Sequence, residues 1–144
     1  MKNILVTIDF NKNEKVLIEK AFQLANAFDS KLWLLHITAP EPGFVGYGVG
    51  PQHVRDWRAT ELREEHKLLE KYTNYIIKKG INAEGLLIEG ATIETVIEET
   101  KKLNVDLIIV GHHKYNFIYK AIIESVSSGI IKKSKIPVLL VPLE

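Results

Sequence analysis

VDLIIVGHH, residues 105–113, reads as one strand and the start of a site. Leu107, Ile108, Ile109 and Val110 are apolar on consecutive positions. A strand with one solvated face would alternate, so this pattern predicts a strand buried on both faces, as in a parallel sheet. Four other runs resemble it: NILVTI (3–8), KLWLLHI (31–37), GLLIE (85–89) and PVLLV (137–141).

Helical spacing separates these runs. Leu17, Ala21, Leu24 and Phe28 recur at three- and four-residue steps within 12–29. Leu62, Leu69, Tyr72 and Ile76 mark a longer, charge-dense segment over 53–79, and Gly80 follows as its C-cap. Ile93, Val96, Ile97 and Leu103 define 92–103, and Ile118, Ile122, Val126 and Ile130 define 118–133. Strands alternating with helices predict an α/β fold, a single doubly wound five-stranded parallel sheet with helices on both faces.

The bulk numbers narrow the function. The chain has 144 residues, enough for one domain with a real core. A formal net charge of +1 gives no bulk attraction to nucleic acid or to an anionic membrane. With no cysteine, disulfides, thiolate catalysis and cysteine-built zinc sites are excluded. Asp9 interrupts the first apolar run too early for a signal peptide, and no run reaches the roughly 20 residues of a membrane span. A cytoplasmic protein is expected, with neither nucleic acid nor membrane as partner.

In open α/β sheets, ligands collect at the carboxyl ends of the strands, where the winding reverses. For strand order 3-2-1-4-5 that point lies between strands one and four. The residues leaving them are Thr7, Ile8, Asp9 and Phe10, and Gly111, His112, His113 and Lys114. Gly111 is expected to let the backbone turn sharply after the strand. The amides from Glu124 to Ser127, with the hydroxyls of Ser125, Ser127 and Ser128, form either an anion site or only a polar helix face.

Other features read plainly. APEPGFVGYGVGPQ (39–52), with four glycines and three prolines, is a long loop; it lacks the Gly-x-Gly-x-x-Gly order of a phosphate turn. It is expected to be a flap, or a surface patch displaying Phe44, Val45 and Tyr47. Adjacent side chains at a strand end point apart, so His112 and His113 are not expected to share a metal; one is expected near the pocket and the other packed or solvated. His36, His53 and His66 are scattered, and no nucleophile with a base is evident. Trp57 is expected to anchor the start of the long helix against the core or the loop, and Arg63 and Lys67 to offset repulsion between Glu61 and Glu65. PVLLVP has proline at both ends, which suits an edge strand, and an edge this apolar needs a cover.

The pattern resembles the universal stress protein family over nearly the whole chain. NILVTIDF, LLHI, VDLIIVGHH and the closing SSGIIKKSKIPVLLVP, in that order, carry the resemblance. It implies one universal stress protein domain over 1–144, with a Rossmann-like or flavodoxin-like sheet ordered 3-2-1-4-5. It also implies a homodimer formed through the last strand, Pro137 to Val141.

The ATP-binding branch of that family carries Gly-x2-Gly-x9-Gly-Ser/Thr after strand four. Here Gly111 matches the first glycine, but Lys114 and Glu124 stand at the other two. Ser125 matches the hydroxyl residue, and Ser127 falls where a further hydroxyl helps. Asp9 matches the acidic residue after strand one, and Ile37 the apolar residue after strand two. Thr7, Ile8, His112 and Val126 complete the expected binding set. A Cβ where bare backbone meets phosphate crowds the oxygens, and Glu124 would repel a triphosphate by about 3 kcal/mol at ~5 Å in an effective dielectric near 20. Lys114 acts in the opposite direction. No resident metal is expected; magnesium would arrive only with a nucleotide's phosphates.

The expectation is therefore a stress-response dimer that acts by binding a ligand or a partner, with weak or no ATP binding. AMP is a candidate ligand, and there is no catalytic set. The alternative is an ATP-binding regulator with slow hydrolysis or autophosphorylation.

Overall fold

The computed structural model describes residues 1–10, 12–38, 52–113 and 126–143, without the side chains of 52–56. Strands β1 (Asn3–Thr7), β2 (Lys31–Thr38), β3 (Ala83–Glu89), β4 (Leu107–His112) and β5 (Val138–Pro142) form one sheet in the order β3-β2-β1-β4-β5. Every neighbouring pair is parallel. Helices α1 (Glu14–Phe28), α2 (Gln52–Lys78), α3 (Thr92–Lys102) and α4 (Val126–Lys133) lie between the strands in sequence. The expected α/β architecture and strand order are therefore as observed.

Pleating sends the apolar runs to two cores, because successive side chains leave opposite faces. Ile4, Val6, Leu34 and Ile109 join Leu17, Ala21, Leu69 and Ile76 of α1 and α2. Leu5, Leu35, Ile108 and Val110 join Val96 of α3 and Ile130 of α4 on the other face. Consecutive apolar residues in β4 are needed because both of its faces are covered.

Several expectations shift. Phe28 is 51% exposed, since the buried face of α1 runs through Leu17, Ile18, Ala21 and Ala25. Trp57 is 61% exposed and does not pack in the core, and the loop it was alternatively expected to meet lies outside the described residues. Glu61 pairs with Arg58 at 3.2 Å and Lys67 approaches Glu64, while Glu65 turns inward. Gly80 ends α2 with φ +92°, its amide donating to the Ile77 carbonyl, so the expected cap is present. The 118–125 part of the last expected helix, and the 39–51 part of the glycine-rich loop, lie outside the described residues.

Exposed carboxylates tie elements together at the surface. Asp106 accepts from the Asn3 and Lys2 amides, which hold its carboxyl below the ordinary value of 3.8. Glu94 is lowered by Lys133, linking α3 to α4, and Glu19 by Tyr75 and then Lys79, linking α1 to α2. A lowered folded-state value means that the stabilisation is complete above the unfolded value and is lost as pH falls through the folded one. Thermal unfolding followed by circular dichroism should show a melting temperature that is flat down to about pH 5 and falls below about pH 4. In Asp106→Asn the acid drop should be shallower; a drop identical to wild type would show that Asp106 contributes nothing to it.

Candidate functional site

A cleft of about 180 Å³ opens at the carboxyl ends of β1 and β4, where the order reverses. Thr7, Ile8 and Asp9 border it from β1, Ile37 from β2, Gly111 and His112 from β4, and Val126 and Ser127 from α4. Eight of the ten residues expected at a site thus surround one cavity. The other two, Lys114 and Ser125, lie outside the described residues, as does Glu124.

The apolar part of the wall comes from strand interiors. Ile8, Leu35 and Val110 are buried, and Val96 reaches the same space from α3. The polar part comes from strand ends, where hydrogen-bonding groups leave the ladder. Asp9 is exposed and Ser127 is 5% exposed. The His112 Nδ1 lies 3.3 Å from the Ser127 Oγ, joining β4 to the first turn of α4.

Two corrections concern β4. Gly111 sits inside the strand, opposite Val141, and makes no turn. Its lack of a side chain serves packing: a Cβ there would come within 2.5 Å of Leu143 Cδ1 and 3.5 Å of Leu17 Cδ2. Both His112 and His113 border the cleft, where one had been expected to point elsewhere. Among the described residues, no group of His, Asp and Glu has the arrangement to hold a metal ion.

His36 had no role in the sequence reading, yet it is central. It is 8% exposed at the end of β2, and its Nδ1 lies 2.6 Å from the Ile8 carbonyl oxygen. Its Nε2 faces Glu65 of α2 at 3.6 Å, an electrostatic contact too long for a hydrogen bond. The Phe10 ring lies against the imidazole at 4.4 Å between centroids, and against Tyr72 at 6.3 Å. Phe10 takes φ +60°, a left-handed conformation that costs a residue with a Cβ about 1–2 kcal/mol. On the other side of the turn the Asp9 amide donates to the Glu14 carboxylate at 3.3 Å. Glu14 is almost fully buried; burial first, and then this neighbouring carboxylate, push the Tyr72 hydroxyl up from its ordinary value. The nearest sequence signal was LLHI itself, a polar residue late in an apolar strand.

A parallel sheet wound both ways, with an apolar cleft rimmed by an acid and hydroxyl donors at its switch point, defines the Rossmann-like ligand-binding class of α/β fold. Within that class the chain belongs to the universal stress protein family, whose profile it matches over residues 1–142. Universal stress protein A of Escherichia coli K12 is 28% identical over 148 aligned positions, covering 99% of this chain and 94% of that protein. Universal stress protein YxiE of Bacillus subtilis is 27% identical over 143 positions, covering 96% and 97%. Among solved structures, a universal stress protein in complex with cAMP superposes with a TM-score of 0.73 at 20% identity, covering 99% of this chain and 98% of that one. An Arabidopsis thaliana family member with AMP bound superposes with a TM-score of 0.65 at 18% identity, covering 100% and 93%.

Proposed function

We propose that this chain is a universal stress protein that acts by reversible binding of an adenine nucleotide carrying a single phosphate, with weak affinity for ATP. The observation that carries the reading is the composition of the switch-point cleft. Ile8, Leu35 and Ile37 offer apolar surface for a base, Asp9 offers a carboxylate to ribose hydroxyls, and Ser127 and His112 offer donors to a phosphate. Solved relatives with cAMP and with AMP support this ligand class. The departures at Lys114 and Glu124 bear against a triphosphate, as the charge argument above sets out, and magnesium would enter only with such a ligand.

The domain is taken to span 1–144, working in the cytoplasm as a stress-response homodimer joined through β5. The role proposed is binding, not turnover. The alternative, an ATP-dependent regulator with slow hydrolysis or autophosphorylation, would use Gly111, Lys114, Ser125 and Ser127 on the phosphates.

Calorimetric titration separates the two. AMP should bind the wild type more tightly than ATP with magnesium. Asp9→Ala should weaken AMP by about tenfold or more, the effect of losing a hydrogen bond to a charged group, about 1.5–3 kcal/mol. Its melting temperature should barely move, because Asp9 is exposed. Glu124→Gly with Lys114→Gly should raise ATP affinity. Tighter binding of ATP than of AMP by the wild type would overturn the reading in favour of the alternative.

A further inference from the structure

We propose that His36 is a positioning residue for the cleft: by donating from Nδ1 to the Ile8 carbonyl it holds the left-handed turn at Phe10 and so sets where Asp9 enters the site. The inference rests on the nucleotide reading for its consequence, but its geometry stands apart from any ligand.

A carbonyl oxygen only accepts, so at 2.6 Å the Nδ1 carries the hydrogen. Ile8 has left the β1 strand, although its amide still donates to the Leu35 carbonyl at 2.8 Å. The Ile8 residue is therefore gripped on both backbone groups by β2, once through main chain and once through the His36 ring. The next two residues are Asp9 and Phe10. The Phe10 backbone is in a conformation that a non-glycine residue holds only when its surroundings impose it. The imidazole supplies that constraint twice, by bonding the carbonyl before Asp9 and by packing, tilted at 46°, against the ring after it.

The ring is itself held. Its Nε2 faces the Glu65 carboxylate, and the Glu65 Oε2 is buried with no hydrogen-bond partner among the described residues. A buried carboxylate oxygen is costly to leave bare, and the facing Oε1 attracts the Nε2 edge of the imidazole. Glu14 grips the Asp9 amide from α1. The turn bearing Asp9 is thus fixed from β2, α1 and, through His36, α2. If the turn loosens, the fraction of molecules with Asp9 correctly placed falls, and apparent affinity falls in proportion.

Side-chain amides separate the two ring nitrogens. Asparagine places its NH₂ where Nδ1 stood, whereas glutamine reaches the Nε2 position. Three variants, His36→Asn, His36→Gln and His36→Leu, should be compared for AMP affinity and for hydrogen exchange of the Asp9 amide without ligand. His36→Asn keeps the bond to the Ile8 carbonyl but loses the ring contact with Phe10, so it is expected to stay closer to wild type in both than the other two variants. His36→Gln and His36→Leu are expected to speed Asp9 exchange and to weaken AMP by about tenfold, as a competent fraction of one in ten would. A purely structural histidine would lower all three variants' melting temperatures without this split.

Unchanged Asp9 exchange in His36→Leu would overturn the proposal, as would altered exchange with unaltered AMP affinity. If wild type itself binds no AMP, the nucleotide reading falls, while the exchange difference between asparagine and glutamine still decides whether His36 holds the turn. Should the variants fail to fold, nitrogen-15 spectra of the wild-type imidazole decide instead. A neutral ring protonated on Nε2 with a bare Nδ1 would refute the donated bond, and a hydrogen on Nδ1 would support it.

Discussion

Ile109→Ala is expected to remove about 2–5 kcal/mol of folding stability, the cost of deleting a large aliphatic side chain from a site that cannot collapse. Ile109 is 0% exposed, lies opposite Val6 on β1 and Leu139 on β5, and belongs to the core beneath α1 and α2. Sheet on one side and helices on the other prevent its neighbours from closing the gap. Against a total of about 5–15 kcal/mol for a domain, this loss is a large fraction. Ile77→Ala is the matched control, because Ile77 on α2 is 47% exposed, lies away from the proposed β5 seam, and its truncation opens no cavity; its cost should stay near 1 kcal/mol or less. Guanidinium unfolding followed by fluorescence measures both. Equal costs at the two positions would mean that β4 is not covered on both faces.

That contrast also shows why the fold was legible. Leu107, Ile108, Ile109 and Val110 are apolar in succession because each face of β4 meets a different helical layer, and no half-solvated strand needs such a run. Once the runs alternate with helical spacing, right-handed crossovers leave few topologies. Helix faces were less legible where the apolar period overshoots. Phe28 continues the spacing of Leu17 and Ala21, but it falls at the last turn of α1, beyond the sheet. Trp57 shows the same limit, since hydrophobicity alone does not say that a surface will be met.

The site divides along similar lines. Asp9, Ile37, Gly111 and Ser127 border the cleft, and strand ends and family spacing had pointed to each of them. Gly111 was assigned the wrong reason, since a missing Cβ serves a turn and a tight packing contact equally well in sequence. The Leu143 methyl that decides between them comes from more than thirty positions along the chain, a separation that no local pattern conveys. His36 was passed over for the same reason. Its partners are a carbonyl on β1 and a carboxylate on α2, and nothing within LLHI marks either of them.

Leu139→Lys combined with Leu140→Lys is expected to turn the proposed homodimer into a monomer. The two edges of the sheet differ in charge. At one edge β3 carries exposed Glu84 and Glu89 near its ends, charges that discourage further strand pairing. At the other, β5 reads Val-Leu-Leu-Val-Pro with no charge; Leu139 and Leu140 are 37% and 39% exposed, one on each face of the strand. In the proposed homodimer a second copy related by a two-fold axis would cover this edge with an identical edge. Two lysines per strand would then face themselves across the axis. Like charges brought together at an interface cost several kcal/mol, so the dissociation constant should rise by about a hundredfold or more. Sedimentation velocity should give twice 16.4 kDa for the wild type and 16.4 kDa for the variant. The variant's melting temperature at low concentration should match that of dissociated wild type, because both leucines already meet solvent in the single chain. A wild type that stays at 16.4 kDa at about 100 μM, well above the concentrations at which a standard-sized interface of about 800 Å² per partner holds, would leave β5 without this partner.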